Sequence, residues 1–520
     1  MFRKNKEKPI QTDNNTKNTE NTEDRQLAKT LSENIGMFRA IFQDDSTIIF
    51  RDFENVNAKG FRCCLVYFDG MVNTEVSNEN IINPIMNADI LKIRDGGQDV
   101  LDILKNKVIY ANEIKRSGNV DELLMALFSG DALIMTEGLD AALIVNSKGL
   151  QVRSLQEPGL EKVLQGPKEG FSETIITNLS LIRRRLKTPD LRFKFKEIGT
   201  RTKTRVCICY IDTLANDDIL KELESRLDRI SIDGIITSNY IDEMIKDSPL
   251  SPFKTIGTTE RPDVVAAKLL EGRFAVIVDG TPSALTLPFV FMEYFQSADD
   301  YYTSFFFSSI NRFLRCLGEF FTTSIPAIYV ALITFHHEMI PTELLLSITA
   351  ARQQVPFPSV IEALILLFTF EVIREAGVRM PLPMGQSVSI VGALVLGQAA
   401  IEARLFSAPM VIIIAATGIT GLLTIKLKGA SILIRLGLLL LAAFMGLYGY
   451  IFGVIGAFIY MFSLRSFGVP YMMNYGSINP VDLKDMFIRA PWWYMNYRTK
   501  HTAAKNVIRQ KVPAKEEKKG

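Results

Sequence analysis

The groups in this chain best placed to do chemistry are polar side chains set into long apolar runs. Val391, Val395, Gln398 and Glu402 recur at i, i+4, i+7 and i+11, so a helix puts all four on one face. Glu362, Glu371 and Arg374 stand in an apolar run just upstream, and Gly392 and Gly397 permit close helix approach. An ionised side chain at mid-bilayer costs roughly 3 kcal/mol unless it is paired or wetted. Two readings follow. The polar groups hydrogen-bond between helices and hold a bundle together, or they line a water-filled path that attracts cations. In the second reading, cyclic repetition of the 385–402 helix builds a conduit of a homo-oligomer. Val391 and Val395 then form a constriction that dewets when closed, and Glu402 sits at a mouth.

Other chemistries lack their residues. The soluble half has no P-loop, no Gly-x-Gly-x-x-Gly after a strand and no His-Glu-x-x-His. The three histidines are His336, His337 and His501. The adjacent pair diverges by about 100° on a helix, a poor geometry for a metal. Five cysteines occur, Cys63, Cys64, Cys207, Cys209 and Cys316; Cys207 and Cys209 alternate along one strand face and read as core packing. An odd count without a disulfide framework fits a reducing compartment. The net charge of +2 and the short run Arg183–Arg185 describe a solvated face or a membrane-surface contact rather than a nucleic-acid site. No catalytic residue, metal or cofactor is therefore expected.

The elements that must position these groups follow from segregated composition. Charged residues are 22% of the chain, but they thin out from about Ile325 to Leu464, where apolar runs take over. Residues 1–26 are polar, aperiodic and expected to be disordered, with no apolar segment of a signal peptide. Residues 27–172 read as a first α/β subdomain. It has a helix within 27–42, a strand from Cys63 to Phe68, a helix from Val120 to Phe128 and a hairpin around Glu137–Asp140. Residues 173–283 read as a second, with helices at 173–186, 216–230 and 262–271 and strands at 193–197, 205–210, 234–237 and 275–278. Strand–helix alternation predicts a mixed or parallel sheet.

Residues 284–323 form an amphipathic segment in which Phe306, Ile310, Phe313, Leu317 and Phe320 oppose Ser308, Arg312, Arg315 and Glu319, the pattern of a helix lying in a membrane interface. Residues 324–466 form an all-α transmembrane domain of about six spans: 321–340, 357–374, 385–402, 406–425, 430–447 and 448–464. The last two merge into one tilted helix in a five-span alternative. Residues 467–520 are a basic tail with an aromatic anchor at Trp492, Trp493 and Tyr494. With Arg374–Arg379, Lys426–Lys428–Arg435 and the tail as basic inside turns, both termini face the cytoplasm.

Several long strings carry a family resemblance. Arg352-Gln-Gln-Val-Pro-Phe-Pro-Ser-Val-Ile-Glu-Ala, Phe370-Glu-Val-Ile-Arg-Glu-Ala-Gly-Val-Arg-Met-Pro and Gly385-Gln-Ser-Val-Ser-Ile-Val-Gly-Ala-Leu-Val-Leu-Gly-Gln-Ala-Ala lie in the apolar half. Val278-Asp-Gly-Thr-Pro-Ser-Ala-Leu-Thr, Phe295-Gln-Ser-Ala-Asp-Asp-Tyr-Tyr and Asp485-Met-Phe-Ile-Arg-Ala-Pro-Trp flank it. From about Asp69 to Pro491 the chain resembles the A subunit of GerA-family spore germinant receptors. The resemblance implies a cytoplasmic part of two α/β subdomains and a multi-pass part in the inner membrane of the dormant spore. It also implies a transporter-like B subunit and a lipoprotein C subunit as partners, and an A-subunit oligomer that conducts monovalent cations. A membrane-anchored enzyme, a secondary transporter and a scaffold subunit without its own pore are the competing readings.

Overall fold

The computed structural model describes residues 25–89, 99–149, 157–159, 161–379, 397–473, 485–498 and 505–510. The chain divides into two compact units, Met1–Gln151 with Leu186–Pro189, and Val152–Arg185 with Asp190–Gly520. The division falls at Gln151 rather than near Ser172, and the second unit takes in the helical half and tail as well as the second sheet.

The first unit contains α1 (Leu31–Ile41), β1 (Ile48–Glu54), β2 (Arg62–Phe68), β3 (Ile114–Ser117), α2 (Val120–Phe128), β4 (Ala132–Thr136) and β5 (Ala142–Val145). The expected hairpin is the β4–β5 pair. The sheet runs β1-β2-β4-β5-β3, every pair antiparallel. Alternation along β2 supplies both faces of the core. Cys64, Val66 and Phe68 pack with Phe38, Leu123 and Leu127, whereas Cys63 and Leu65 pack with Ile81, Ile85, Leu101 and Leu104. The Asn119 side chain caps α2 by accepting from the backbone N–H groups of Asp121 and Glu122.

The second unit opens with α3 (Ile175–Arg185), β6 (Leu191–Ile198), β7 (Thr204–Ile211), α4 (Asp217–Asp228), α5 (Ser238–Ile245), β8 (Gly257–Thr259), α6 (Pro262–Leu269), β9 (Phe274–Val278) and β10 (Ala284–Leu287). The sheet order is β6-β7-β9-β10-β8, and again every pair is antiparallel. This corrects the expectation of a mixed or parallel sheet. Tight turns at Gly199 and Gly280, both at positive φ, send β6 back along β7 and β9 back along β10. The strand expected at 234–237 is absent. The Thr202 and Thr204 hydroxyls take the Ile235 N–H and C=O instead, so no ladder is needed there. Val206, Ile208 and Tyr210 pack under Ile219, Leu223, Leu227 and Ile241. Cys207 and Cys209 are buried, with their Sγ atoms 4.0 Å apart.

Among the described residues the helical half contains α7 (Phe305–Phe335), α8 (Thr342–Arg352), α9 (Ser359–Arg379), α10 (Ala408–Thr420) and α11 (Lys428–Ser463), with residues 397–402 also helical. Of the expected amphipathic segment 284–323, residues 284–287 are β10 of the second sheet, while 305–323 continue into the first expected span as one 31-residue helix, α7, in which even Pro326 is accommodated. The last two expected spans are the halves of α11, broken at Gly446 (φ 62°, ψ −142°). The second half folds back on the first. Leu447, Tyr450 and Val454 join Leu438, Ala442, Ala327 and Ala331 in one cluster, and a methyl at Gly453 would lie 2.7 Å from Leu438. Among the described residues, two runs, Phe305–Phe335 and Ala408–Ser463, are long and apolar enough to cross a membrane. Most of the expected 385–402 span, including Val391 and Val395, lies outside the described residues.

Candidate functional site

The polar groups of the helical half are gathered into layers along α7. At its N-terminal end Arg312 is fully buried. Its guanidinium donates to Asp300 Oδ2 through Nε and Nη2 at 3.2 and 3.1 Å. Its Nη1 donates to Asp485 Oδ1 at 2.8 Å and to the carbonyls of Asp485 and Met486 at 2.7 and 3.0 Å. Arg315 pairs with the other Asp300 oxygen, and the Tyr301 hydroxyl donates to Asp485 Oδ2 at 2.6 Å. Burial, with the Asp485 charge beside it, pushes the Tyr301 phenol well above its ordinary range. A forked guanidinium with five donors is the side chain that can hold two carboxylates and two carbonyls at once. The polar face of α7 is therefore turned into protein, while Phe306, Ile310 and Phe313 face outward. The expected arrangement, with Arg312, Arg315 and Glu319 toward water, is reversed: Asp300 and Asp485 supply the counter-charges of Arg312 and Arg315, and the Thr424 and Ser431 hydroxyls meet Glu319.

Two turns further on, Glu319 accepts from the Thr424 and Ser431 hydroxyls, both at 2.5 Å. These donors come from the turn between α10 and α11 and from the start of α11. Glu371 of α9 pairs with Arg374 on its own helix and with Arg435 of α11 at 2.8 Å. Arg435, expected in a basic cytoplasmic turn, is buried inside α11. The Glu371 carboxylate draws it inward. Closer to the far end of α7, the fully buried Glu362 of α9 accepts from the Ser407 N–H at 2.5 Å and the Ser407 hydroxyl at 2.6 Å, at the N-terminus of α10.

Gln398 and Glu402 contrast with these groups. Both are exposed, and the Gln398 amide donates to Glu402 Oε1 at 3.0 Å. Of the four face residues, these two are described, and they turn outward together.

The helical half is also tied to the second sheet. The Ser466 hydroxyl donates to the Thr255 carbonyl at 2.6 Å and accepts from the Phe289 N–H, and the Phe467 N–H donates to Asp247 at 2.8 Å. Lys426 pairs with Glu161 at 2.5 Å; burial favours the neutral acid, but Lys426 prevails and holds Glu161 below its usual value. Glu293 is buried between two cations. It receives Arg273, Lys268 at 2.6 Å and the Val290 N–H at 2.9 Å. Burial raises its pKa, and the two cations, Arg273 first, overcome this and bring it down to about 2.

The sequence singles out Arg312, Glu319, Glu362, Glu371 and Arg374, of which Glu371 and Arg374 pair with each other; the partners of the others are not legible in it. Asp300 and Asp485 were visible only as letters in two of the quoted strings, and nothing local marks Ser407 or Ser431. Arg435, a lone basic residue between apolar runs, was the one available signal.

A sequence model of the family described as Bacillus/Clostridium GerA spore germination protein matches residues 36–501. Spore germination protein KA of Bacillus subtilis (strain 168) is 40% identical over 486 residues, 93% of this chain and 89% of that protein. Spore germination protein GerLA of Bacillus cereus is 36% identical over 450 residues, 86% of this chain and 90% of that protein. The crystal structure of the N-terminal domain of the A subunit of the Bacillus megaterium spore germinant receptor GerK3 aligns with a TM-score of 0.37 at 34% identity, over 51% of this chain and 97% of that one.

Proposed function

The chain belongs to the GerA family of spore germination proteins, and from that premise we propose that it is the A subunit of a germinant receptor that forms a homo-oligomeric, ligand-gated cation conduit. It acts with a transporter-like B subunit and a lipoprotein C subunit, carries no catalytic chemistry of its own, and crosses the spore inner membrane several times with both termini inside. The observation that carries the conduit reading is the contrast within the helical half. Glu319, Glu371 and Arg435 are paired inward and Glu362 is buried against Ser407, whereas Gln398 and Glu402 stand exposed on a chain whose outer face is otherwise rich in Phe, Ile and Leu. An exposed amide and carboxylate are unfavourable against lipid and favourable against water or a second copy. Cyclic repetition of that face gives a ring of carboxylates at a mouth.

The inward pairing of the other charges favours a second reading, a receptor scaffold in which buried polar groups only hold the bundle together. Reconstitution of the chain into liposomes, with ion flux and subunit count measured together, separates the two. Flux from a defined oligomer supports the conduit. A monodisperse oligomer without flux, alone or with its partner subunits and germinant, leaves the scaffold.

A further inference from the structure

The tail holds more guanidinium charge than carboxylates to meet it. Arg489 is 3% exposed, yet among the described residues no acid pairs with its side chain, and its Nε has no hydrogen-bond partner. Ring faces meet the guanidinium instead, with the centres of Tyr301 and Trp492 at 5.8 and 5.2 Å. Arg509 lies over the same indole at 5.4 Å. The acid it reaches, Glu271, is 3.9 Å away and already stands beside Arg273. Arg498 is held next to Arg509 by the antiparallel pairing of Tyr497 with Ile508. It spends its donors on the neutral carbonyls of Leu270, Asn506 and Ile508 at 2.6, 3.4 and 2.5 Å. Three guanidiniums therefore stand together with one shared carboxylate among them, an excess of positive charge that attracts anions.

The same stretch of tail exposes large apolar groups. Ile488 and Trp493 are about as exposed as any in the chain, at 71% and 70%. They lie against the first turns of α7. The Arg489 N–H donates to the Ser309 hydroxyl at 3.1 Å, and Trp493 packs on Phe305, whose ring centre is 4.0 Å from that of Phe306. The apolar surface of the tail therefore runs on into the outward face of Phe306, Ile310 and Phe313. At 1.5 Å per residue the 31-residue α7 is about 46 Å long, against roughly 30 Å of hydrocarbon. Its charge-free part is Phe320–Phe335, so the surplus falls at the N-terminal end, which stands at headgroup depth when the helix crosses a membrane. Indoles favour that depth, and guanidiniums bind phosphate oxygens there. Continuity with the outward face of α7 selects a lipid surface over a protein partner. We propose that Arg489, Arg498 and Arg509, with Trp492 and Trp493, form a docking surface for the headgroups of anionic phospholipids on the membrane face where α7 begins. The proposal rests on α7 crossing the membrane and not on whether the Gln398–Glu402 face conducts.

The test uses the full chain in nanodiscs and its own two tryptophans, Trp492 and Trp493. Phosphatidylcholine discs are doped, at equal mole fraction, with brominated phosphatidylglycerol or with brominated phosphatidylcholine, and the quenching of emission is compared. Each arginine near an anionic surface carries roughly a fivefold preference for it. Brominated phosphatidylglycerol should therefore quench several-fold more strongly, and raised salt should shrink the difference. Replacing Arg498 and Arg509 together, by Arg498→Gln and Arg509→Gln, should bring the two lipids level while quenching by brominated phosphatidylcholine persists. Equal quenching by the two lipids in wild type overturns the proposal, as does full selectivity in the double variant. Selectivity abolished by soluble glycerol phosphate at constant ionic strength assigns the arginines to a free phosphate and overturns it too. No quenching by either lipid, in discs that hold the chain, places the tail off the bilayer with the same consequence. A chain that does not co-elute with the disc refutes the membrane crossing itself. If the double variant does not fold, the wild-type comparison and its salt dependence still decide the proposal.

Discussion

Replacing Arg312 with Met tests whether the buried junction at the start of α7 holds the tail in place. The substitution keeps the length and apolar stem of the side chain and removes its charge. It leaves Arg315 as the one cation on Asp300 and the Tyr301 hydroxyl as the remaining side-chain donor to Asp485, strips the Met486 carbonyl of its donor and leaves the Asp485 carbonyl with the Gln296 amide. Removing one member of a buried ion pair costs about 3–5 kcal/mol, because the other charge stays buried. At about 1.4 kcal/mol per decade, the junction should open two to nearly four orders of magnitude more often. Arg312→Lys keeps the charge but not the fork, and should fall between, at about 1–3 kcal/mol.

The readout is built into the chain. Its only two tryptophans are Trp492 and Trp493. Trp492 lies 5.9 Å from the Tyr301 ring and takes the Arg489 guanidinium at 5.2 Å, while Trp493 packs on Phe305 at 5.8 Å. Tryptophan emission of the full chain in nanodiscs, followed against urea, therefore reports on the tail around this junction. The expected result is a lower midpoint for the first transition in the order wild type, Lys, Met, with red-shifted emission for Met in buffer. Identical emission and midpoints for wild type and Arg312→Met would refute the argument that these contacts fasten the tail.

Three further outcomes are expected. Glu293 titrates near 2 when folded against an ordinary 4.5, so its pairing contributes about 3 kcal/mol above pH 4.5 that is lost as the pH falls through that interval. Thermal scans from pH 6 to pH 3 should show Glu293→Gln less stable than wild type at pH 6, with the gap closing toward pH 3; a gap independent of pH would contradict the assignment. Gly418 faces the Phe370 ring so closely that a methyl group has no room, and Gly418→Ala should cost about 1–3 kcal/mol in thermal stability, partly recovered by Phe370→Leu; a neutral Gly418→Ala would show that α9 and α10 pack more loosely. In liposomes, Glu402→Gln should reduce cation flux without altering subunit count, and Val395→Ala should raise basal leak by making the constriction easier to wet; unchanged flux in both would leave the polar face of 385–402 as packing.

Much of the soluble architecture was legible because local rules decide it. Val120–Phe128 was read to the residue, since Asn119 is a strong cap and Leu123, Leu124 and Leu127 keep helical spacing. Cys63–Phe68 and the hairpin before Val145 followed from their apolar runs and the Glu137–Asp140 turn. Strand direction was not legible, because alternation of helix and strand is compatible with either sense and the glycine turns at 199 and 280 settle it locally in favour of reversal. The strand at 234–237 failed because two threonine hydroxyls distant in sequence claimed its backbone groups.

The sequence by itself determined where the apolar half begins, which charges are set within it and which family it resembles, since these depend on composition, spacing and contiguous strings of residues. Only the tertiary structure decided which way those charges face. Arg312 and Arg435 read as solvent-facing, because a helix wheel shows a polar side and not what lies against it. Asp300 and Asp485 turn Arg312 inward from 12 and 173 residues away, and Glu371 turns Arg435 inward from 64. A buried guanidinium is tolerable only where its counter-charge is already buried, and that condition is set by the packing of distant segments, which no local pattern records.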